Sequence, residues 1–309
     1  MTVLTGFLGA GKTTVLRHVL GAVDARKICV VENEFGAANV DGEVIETMAP
    51  GLVRRLTGCI CCAVQGDLVA TFVALSEVCA REGVERVVLE TTGMAEPGEI
   101  VRILLRPGPV AEAFRVAQVV TVADAEHALV DLENSPIAQE QVGVADLVLV
   151  SKVDRVTGAR IETVLAALNA LNPVAEVRRC AHGVVDPAEF FLDTPRRLRV
   201  RAVGEHGHGQ LSSLVVEAPG PHRLADVDAW VRTWTRRLGD DLLRVKGIVR
   251  GPRGRRTLLQ AVRRTVTSER IMQAEVESWN ASTFVLIGTA LPTDALTSSF
   301  RALPVSGRP

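Results

Sequence analysis

The feature that most constrains this chain is the stretch GFLGAGKTT, which runs from Gly6 to Thr14 and satisfies the pattern G-x-x-x-x-G-K-[ST]. The apolar residues 3–5 precede it and predict a short buried strand. Apolar residues recur at helical spacing behind it, at Val15, Leu16, Val19 and Leu20. A strand, a glycine-rich loop and a helix in this order form a phosphate cradle, so the sequence predicts a nucleotide-binding P-loop.

Each residue type in the P-loop has a role in binding phosphate and Mg²⁺. The main-chain N–H groups that would surround the phosphate oxygens belong to Gly6, Gly9, Ala10 and Gly11. Lys12 would reach the outer phosphates, and Thr13 would offer its hydroxyl to Mg²⁺. Thr14 would touch an inner phosphate or continue the helix.

Two further buried strands end in acidic residues. Residues 27–31 predict a strand that leads into Glu32 and the loop 32–36, where carboxylates suit Mg²⁺ or a second metal; a solvated turn is the alternative. Residues 86–90 predict another strand, followed by Thr91-Thr92-Gly93. At this edge Glu90 would hold Mg²⁺ through water and Gly93 would bring its N–H toward the γ-phosphate, or Glu90 is only a capping residue.

A later strand, residues 145–150, ends in Ser151-Lys152-Val153-Asp154, which is similar to the N-K-x-D element that reads guanine in GTPases. Asp154 would accept two hydrogen bonds from guanine N1 and N2, and Lys152 would lay its stem along the base and the P-loop. Serine in place of asparagine predicts that one contact to the base or P-loop is shortened or lost. Hydrogen bonds to a carboxylate are the stronger term, so GTP is the predicted nucleotide. After a predicted strand at 174–177, His182 would line the base or merely end the strand.

Three of the six cysteines are clustered, at Cys59, Cys61 and Cys62. If the chain bends there, the thiolates and a carboxylate such as Glu32 would form a soft tetrahedral site that suits Zn²⁺ first, with Co²⁺ or Cu⁺ as competitors. Packing cysteines or a redox-sensing pair are the alternatives. The remaining thiols, predicted to be small buried hydrophobes, are Cys29, Cys79 and Cys180.

Composition excludes several classes of partner. The net charge is −1 and 23% of the residues are charged, which gives no electrostatic attraction to nucleic acid. No apolar run approaches the roughly 20 residues that span a bilayer, so no membrane partner is expected. The first predicted strand begins within two residues of Met1, so we expect no signal peptide and a cytoplasmic protein.

The pattern of elements predicts two domains. Residues 1–195 alternate strands and helices, which is typical of an α/β domain with a doubly wound, mostly parallel sheet. Residues 196–210 would be a linker in which His206 and His208 hand on metal or belong to a plain connector. Residues 211–309 predict a smaller α+β domain with antiparallel strands. Its predicted strands are 214–216, 242–249, 256–266 and 283–288, and its predicted helices 224–238 and 292–303.

The order of five sequence motifs resembles that of the CobW-type P-loop GTPases, in particular the YjiA-like branch. These motifs are the P-loop, the loop 32–36, the cluster Cys59-Ile60-Cys61-Cys62, the segment Glu90-Thr91-Thr92-Gly93 and the element at 151–154. The resemblance covers nearly the whole chain, and it implies a metal-dependent GTPase that serves as a metallochaperone or metal-insertion factor. The implied partner is a client metalloprotein or an enzyme of a metal-cofactor pathway.

The resemblance also implies roles for single residues. Gly9 to Thr14 would bind phosphate and Mg²⁺, Glu90 and Gly93 would form the second nucleotide motif, and Asp154 would bind guanine. The transferred Zn²⁺ or Co²⁺ would be held by Cys59, Cys61 and Cys62 with Glu32. The chain departs from the family pattern at Ser151, at Ala37-Ala38 where some relatives carry an acidic residue, and in lacking long histidine-rich insertions.

Two other functions remain open at the level of sequence. One is a nucleotide-gated scaffold that helps to mature a metalloenzyme without carrying metal, and the other is a P-loop kinase for a small molecule. A kinase would need a lid and an acceptor-binding base, and neither is recognisable. The sequence leaves the oligomeric state open, with a homodimer among the alternatives.

Overall fold

A computed structural model of the chain describes residues 1–23, 27–32, 53–55, 65–192, 210–271 and 281–306, with the main chain alone at 32, 53–55 and 65–67. The chain divides into two compact units, Met1–Leu165 with Glu176–Arg196, and Ala166–Ala175 with Arg197–Pro309. The predicted linker at 196–210 stays a prediction because residues 193–209 lie outside the described part. No helix in the described residues is both long enough and apolar enough to cross a bilayer.

The first unit is built on a parallel sheet. Its described strands are β1 Thr2–Gly6, β2 Ile28–Glu32, β3 Val53–Arg55, β4 Arg86–Glu90, β5 Gln118–Asp124, β6 Leu147–Ser151 and β7 Glu176–Cys180. Their order in the sheet is β3-β2-β4-β1-β5-β6-β7, and every pair is parallel. Successive strands are added on one side of β1 and then on the other, so the switch point of the sheet lies at β1, where ligands of such folds bind.

Helices alternate with these strands, as the periodicity predicts. They are α1 Lys12–Gly21, α2 Gln65–Glu82, α3 Pro97–Leu105, α4 Pro109–Ala113, α5 Ala128–Asn134, α6 Pro136–Gly143, α7 Gly158–Leu171 and α8 Pro187–Phe190. Helix α1 buries the four apolar residues predicted to face the core, Val15, Leu16, Val19 and Leu20. The parallel sheet with its helices confirms the predicted α/β, P-loop NTPase-like fold.

The scattered cysteines pack as predicted. Cys29, Cys79 and Cys180 are buried. Burial raises the pKa of the Cys180 thiol to about 11, although a hydrogen bond from the main chain of Gly183 acts in the opposite direction. A thiol with so high a pKa is not a nucleophile near neutral pH.

The predicted strand at 174–177 is wrong in its bounds. The side-chain oxygen Oδ1 of Asn172 accepts hydrogen bonds from the main-chain nitrogens of Val174 and Ala175, at 3.2 and 3.0 Å. These bonds hold residues 172–175 in a turn, so the strand begins only at Glu176. Asparagine often forms such local turns. The apolar residues 174–175 instead indicated a strand, so the sequence did not reveal this turn.

The second unit contains an antiparallel sheet, which confirms the predicted α+β domain. Its strands, in the order β11-β10-β9-β12-β8, are β8 Leu211–Pro219, β9 Leu242–Arg250, β10 Arg256–Val262, β11 Thr265–Ile271 and β12 Ala281–Thr289. Helices α9 Leu224–Leu238 and α10 Thr293–Arg301 pack their apolar faces on the core, where Trp230 lies against Phe300. The predicted single strand at 256–266 is wrong, because the chain reverses at Arg263, whose φ is 49°, and forms a hairpin.

His222 is a buried histidine in the second unit, and its burial shifts its pKa. Its side chain is 1% exposed, its ring stacks on Phe300, and its Nδ1 lies 3.0 Å from the hydroxyl of Ser282. Burial lowers the pKa of His222 below 6.5, and the nearby charge of Asp226 raises it in part.

We expect the wild type to lose stability as the pH falls below about 6.5, because the unfolded chain then binds a proton that the folded histidine resists. His222→Asn removes this titration. Urea unfolding at pH 7.5 and 5.5, followed by tryptophan fluorescence, should show a smaller pH effect in the variant than in the wild type. If the wild type and the variant lose equal stability between pH 7.5 and 5.5, the pH effect does not come from His222.

Candidate functional site

The P-loop connects β1 to α1 at the switch point of the sheet. Gly9 and Gly11 have φ angles of 70° and 98°, in the left-handed region that glycine adopts without strain. Gly11 lies directly before the first residue of α1, so the loop ends where the partially positive helix terminus begins. The segment from Gly6 to Thr14 therefore has the local geometry of an anion-binding loop.

Lys12 folds back over this loop. Its Nζ donates hydrogen bonds to the carbonyl oxygens of Gly6 and Phe7, at 2.8 and 3.3 Å. The side chain is half-buried, and the ammonium group lies over the residues that would surround a phosphate. The predicted phosphate-binding cation is thus positioned by the main chain of the P-loop itself.

Thr13 and Glu90 are brought together although 77 positions separate them in the sequence. The hydroxyl of Thr13 donates to Oε1 of Glu90 at 3.3 Å. Strand β4 pairs with β1, with Glu90 opposite Leu4, so the carboxylate is at the same edge of the sheet as the P-loop. A hydroxyl and a carboxylate oxygen beside a phosphate loop are the oxygen ligands that Mg²⁺ prefers, so the donor set fits this ion.

Gly93 lies directly against the P-loop. A Cβ atom added to Gly93 would lie 2.7 Å from the main-chain nitrogen of Leu8, so the approach requires glycine. Thr91, two residues earlier, holds this segment to the sheet, because its N–H donates to the carbonyl of Leu4 and its hydroxyl donates to the hydroxyl of Thr5. The segment following β4 is therefore fixed at the end of the loop that carries Leu8.

Ser151 retains a P-loop contact. The residue is 4% exposed, and its hydroxyl donates to the carbonyl of Ala10 at 2.6 Å. The sequence predicted that serine would shorten or lose one contact to the base or P-loop, and the P-loop contact is present.

Lys152 is paired with a buried carboxylate. Its Nζ donates to Oδ2 of Asp124 at 2.6 Å. That its stem follows the base and the P-loop stays a prediction. Asp124 is buried and also accepts from the main chain of Glu126 and from His127. Burial by itself raises the pKa of Asp124, but the hydrogen bond and charge of Lys152, together with these other bonds, outweigh burial and lower it. The carboxylate is therefore ionised and fixes the lysine.

Sequence reasoning missed this pairing of Asp124 with Lys152. Asp124 is the last residue of β5 and lies opposite Ser151 of β6 in the sheet. His127 is exposed and contacts the same carboxylate. The possible metal-ligand atoms of Asp124, Glu126 and His127 all lie within 4.8 Å of one another. A Lys152 ammonium group already neutralises Asp124, which disfavours a second cation there.

Asp154 and His182 lie in two short turns. Asp154 is in the 3₁₀ turn Val153–Arg155 and is exposed, so its carboxylate is accessible to a base. His182 is also exposed, in the 3₁₀ turn Ala181–Gly183. A Cβ on Gly183 would lie 2.8 Å from the side chain of Thr14, so this turn packs on the start of α1. Their roles in binding guanine stay predictions.

The predicted metal ligands are described only in part. Cys59, Cys61 and Cys62 lie outside the described residues, as do His206 and His208. Glu32 ends strand β2, and its main chain lies opposite Glu90 in the parallel register of β2 and β4. The strand that leads to the predicted metal site is therefore the neighbour of the strand that carries the predicted Mg²⁺ ligand.

Comparison with known proteins identifies the family. Residues 1–179 match the model of the CobW/HypB/UreG nucleotide-binding domain, and residues 211–303 match that of the cobalamin synthesis protein CobW C-terminal domain. The chain belongs to the CobW/HypB/UreG family. This finding confirms the resemblance that the motifs indicate.

Members of the CobW/HypB/UreG family match nearly all of the chain. The zinc chaperone YjiA of Escherichia coli is 33% identical over 315 aligned positions, which cover 98% of this chain and 98% of that protein. The zinc chaperone CobW of Pseudomonas aeruginosa is 30% identical and covers 97% of this chain and 90% of its own length. The crystal structure of Zn(II)-bound YjiA GTPase from E. coli has a TM-score of 0.74 at 29% identity, with 98% of both chains covered.

Proposed function

We propose that this protein is a GTPase metallochaperone that couples the hydrolysis of GTP to the delivery of a Zn²⁺ ion to a client metalloprotein or an enzyme of a metal-cofactor pathway. Two relatives that match nearly the full chain are named zinc chaperones, and a solved neighbour is a Zn(II)-bound GTPase. The residues of this chain support each half of the proposal.

The nucleotide half rests on Lys12, Thr13 and Glu90. In hydrolysis a water oxygen attacks the γ-phosphorus, the bond to the β–γ bridging oxygen breaks, and GDP and inorganic phosphate leave with the proton of the water. Lys12 would bind the outer phosphate oxygens, and Gly93 would present its N–H to the γ-phosphate. Thr13 and Glu90 would hold Mg²⁺, which when bound neutralises phosphate charge. Asp154, accessible in its turn, would accept the two guanine hydrogen bonds.

The pairing of β2 with β4 is the contact through which the nucleotide and the metal would be coupled. Glu32 lies opposite Glu90, and paired strands are about 4.8 Å apart. A movement of Glu90 on loss of the γ-phosphate would therefore act directly on the strand that ends in Glu32. By linkage, a metal site that senses the nucleotide must alter nucleotide affinity by the same factor.

The chemistry of the predicted ligands favours zinc. Thiolates of Cys59, Cys61 and Cys62 with one carboxylate form a soft tetrahedral set, which suits Zn²⁺ and admits Co²⁺ as a competitor. Both full-length relatives are named for zinc.

A competitive Zn²⁺ titration tests the proposal directly. We expect the wild type to bind Zn²⁺ with affinities that differ by about 5- to 150-fold between GDP and a nonhydrolysable GTP analogue, the usual range of allosteric coupling. Cys61→Ser should weaken Zn²⁺ binding about tenfold or more, because an alcohol is a poor zinc ligand, while GTP affinity stays within about twofold. The same titration with Co²⁺ determines which ion is preferred.

Cys79→Ala is the matched control, because it removes a buried thiol from α2 outside the cluster. This variant should bind Zn²⁺ as the wild type does. Equal Zn²⁺ affinity with both nucleotides would contradict the coupling. Unchanged affinity in Cys61→Ser would favour a scaffold that carries no metal, and a phosphorylated small-molecule product in place of free phosphate would favour a kinase.

A further inference from the structure

Helix α6 forms hydrogen bonds with the segment that follows β4. Gln141, in α6, is 1% exposed. Its side-chain nitrogen Nε2 donates to the carbonyl oxygens of Gly93 at 3.1 Å and Ala95 at 3.2 Å. A single buried amide group thus binds two carbonyls of the segment that lies against the P-loop.

Gln141 is itself anchored to the sheet. The hydroxyl of Thr121, in strand β5 next to β1, donates to the main-chain carbonyl of Gln141 at 2.5 Å. The preceding residue in the helix, Glu140, accepts a hydrogen bond from the N–H of Gly98 at 3.0 Å. Helix α6 therefore contacts the segment at Gly93 and Ala95 and again at the first turn of α3.

The position of Gly93 leaves little freedom. On one side its backbone is so close to Leu8 that a Cβ would meet the main-chain nitrogen at 2.7 Å, and on the other its carbonyl accepts from Gln141. The N–H and the carbonyl of Gly93 belong to adjacent peptide groups joined at its Cα, so loss of the bond at the carbonyl frees the φ and ψ rotations that set the direction of the N–H. Catalytic groups lose much of their effect when misplaced by about 1 Å.

We propose that Gln141 is a positioning residue for GTP hydrolysis, which fixes the Gly93 peptide against the P-loop and thereby sets the rate of γ-phosphate cleavage. The inference rests on the proposed function, because it assumes that the P-loop binds GTP. The hydrogen bonds of Gln141 go to Gly93, Ala95 and Thr121 and not to a residue proposed to bind the base, so we expect its effect on the γ-phosphate side of the site.

The test compares Gln141→Met with the wild type in GTP hydrolysis. Methionine has nearly the volume of glutamine and lacks the N–H donors. We expect kcat to fall about tenfold and the affinity for a nonhydrolysable GTP analogue to fall several-fold, whereas the affinity for GDP stays within about twofold, because GDP lacks the group that Gly93 faces.

Gln139→Met is the matched control. Gln139 lies in the same helix, is 5% exposed, and donates from Nε2 to the carbonyl of Leu132 at 2.8 Å, in α5. This variant loses a buried amide hydrogen bond of the same kind, and that bond goes to α5. We expect similar losses of thermal stability in both variants and a loss of kcat in Gln141→Met alone. Equal kinetics in the two variants would overturn the proposal.

Thr121→Val provides a second test if Gln141→Met does not fold. Valine has the shape of threonine but lacks the hydroxyl that holds the Gln141 carbonyl, so the same selective loss of kcat is expected at smaller size. Unchanged kcat in this variant would also overturn the inference. A wild type that releases no phosphate from GTP would instead refute the proposed function, so the two failures are distinguishable.

Discussion

Lys12→Ala is expected to abolish measurable nucleotide binding. The Lys12 ammonium group now donates to the carbonyls of Gly6 and Phe7, so it is already held over the P-loop before nucleotide arrives. Hydrogen bonds to charged groups contribute about 1.5 to 3 kcal/mol each. The loss of two such bonds to phosphate oxygens predicts a fall in GTP affinity of about 100-fold or more, measured by calorimetry or fluorescent-nucleotide titration.

The fold should survive this change. Lys12 is half-buried, so water can reach the carbonyls of Gly6 and Phe7 when the ammonium group is removed. Lys27→Ala is the matched control: it removes a lysine that is more than half exposed and ion-paired with Glu85. This control should bind GTP normally. Normal GTP binding by Lys12→Ala itself would show that the phosphates are bound elsewhere.

The sequence predicts the strand, loop and helix around the P-loop well because they follow from a local run of residues. The P-loop is a run of consecutive residues, and its strand and helix follow from periodicity alone. The contact between Thr13 and Glu90 is long-range, yet it was predictable, because parallel strands bring their carboxyl ends to one edge of a sheet.

Contacts that depend on strand order were missed. The pairing of Asp124 with Lys152 requires β5 and β6 to be neighbours in a particular register, which hydrophobicity does not specify. Gln141 was missed for a related reason. A glutamine in a helix is usually solvated, and only the packing of α6 beside β1 and α3 makes it a buried donor to Gly93.

The residues in two turns explain why the predicted bounds of two strands were wrong. The β10–β11 hairpin turns at Arg263-Arg264, without the glycine or asparagine that usually permits a positive φ, so the two strands looked like one. The turn at 172–175 depends on one side-chain oxygen of Asn172, a bond that competes with strand formation. Both errors leave the nucleotide edge of the sheet unchanged.

Asp154→Asn is expected to move nucleotide preference from GTP toward XTP. A carboxylate accepts from both N1–H and N2–H of guanine, whereas an asparagine presents one acceptor and one donor. Xanthine carries a carbonyl at position 2 in place of the amino group, so the asparagine amide can donate to it. Replacing a charged acceptor by a mismatched donor should cost about 1.5 to 3 kcal/mol or more, which is about 10- to 150-fold in GTP affinity.

Competition between GTP and XTP for one fluorescent nucleotide measures this change. Asp154 is exposed in its turn, so its substitution leaves the core intact and the expected loss belongs to base recognition. Asp228→Asn is the matched control, because it removes the same charge from the surface of α9, where Asp228 pairs with Arg232. This control should keep the GTP preference of the wild type. A GTP preference retained by Asp154→Asn would mean that guanine is recognised elsewhere, and the exposed His182 in the turn against Thr14 would then be the residue to substitute next.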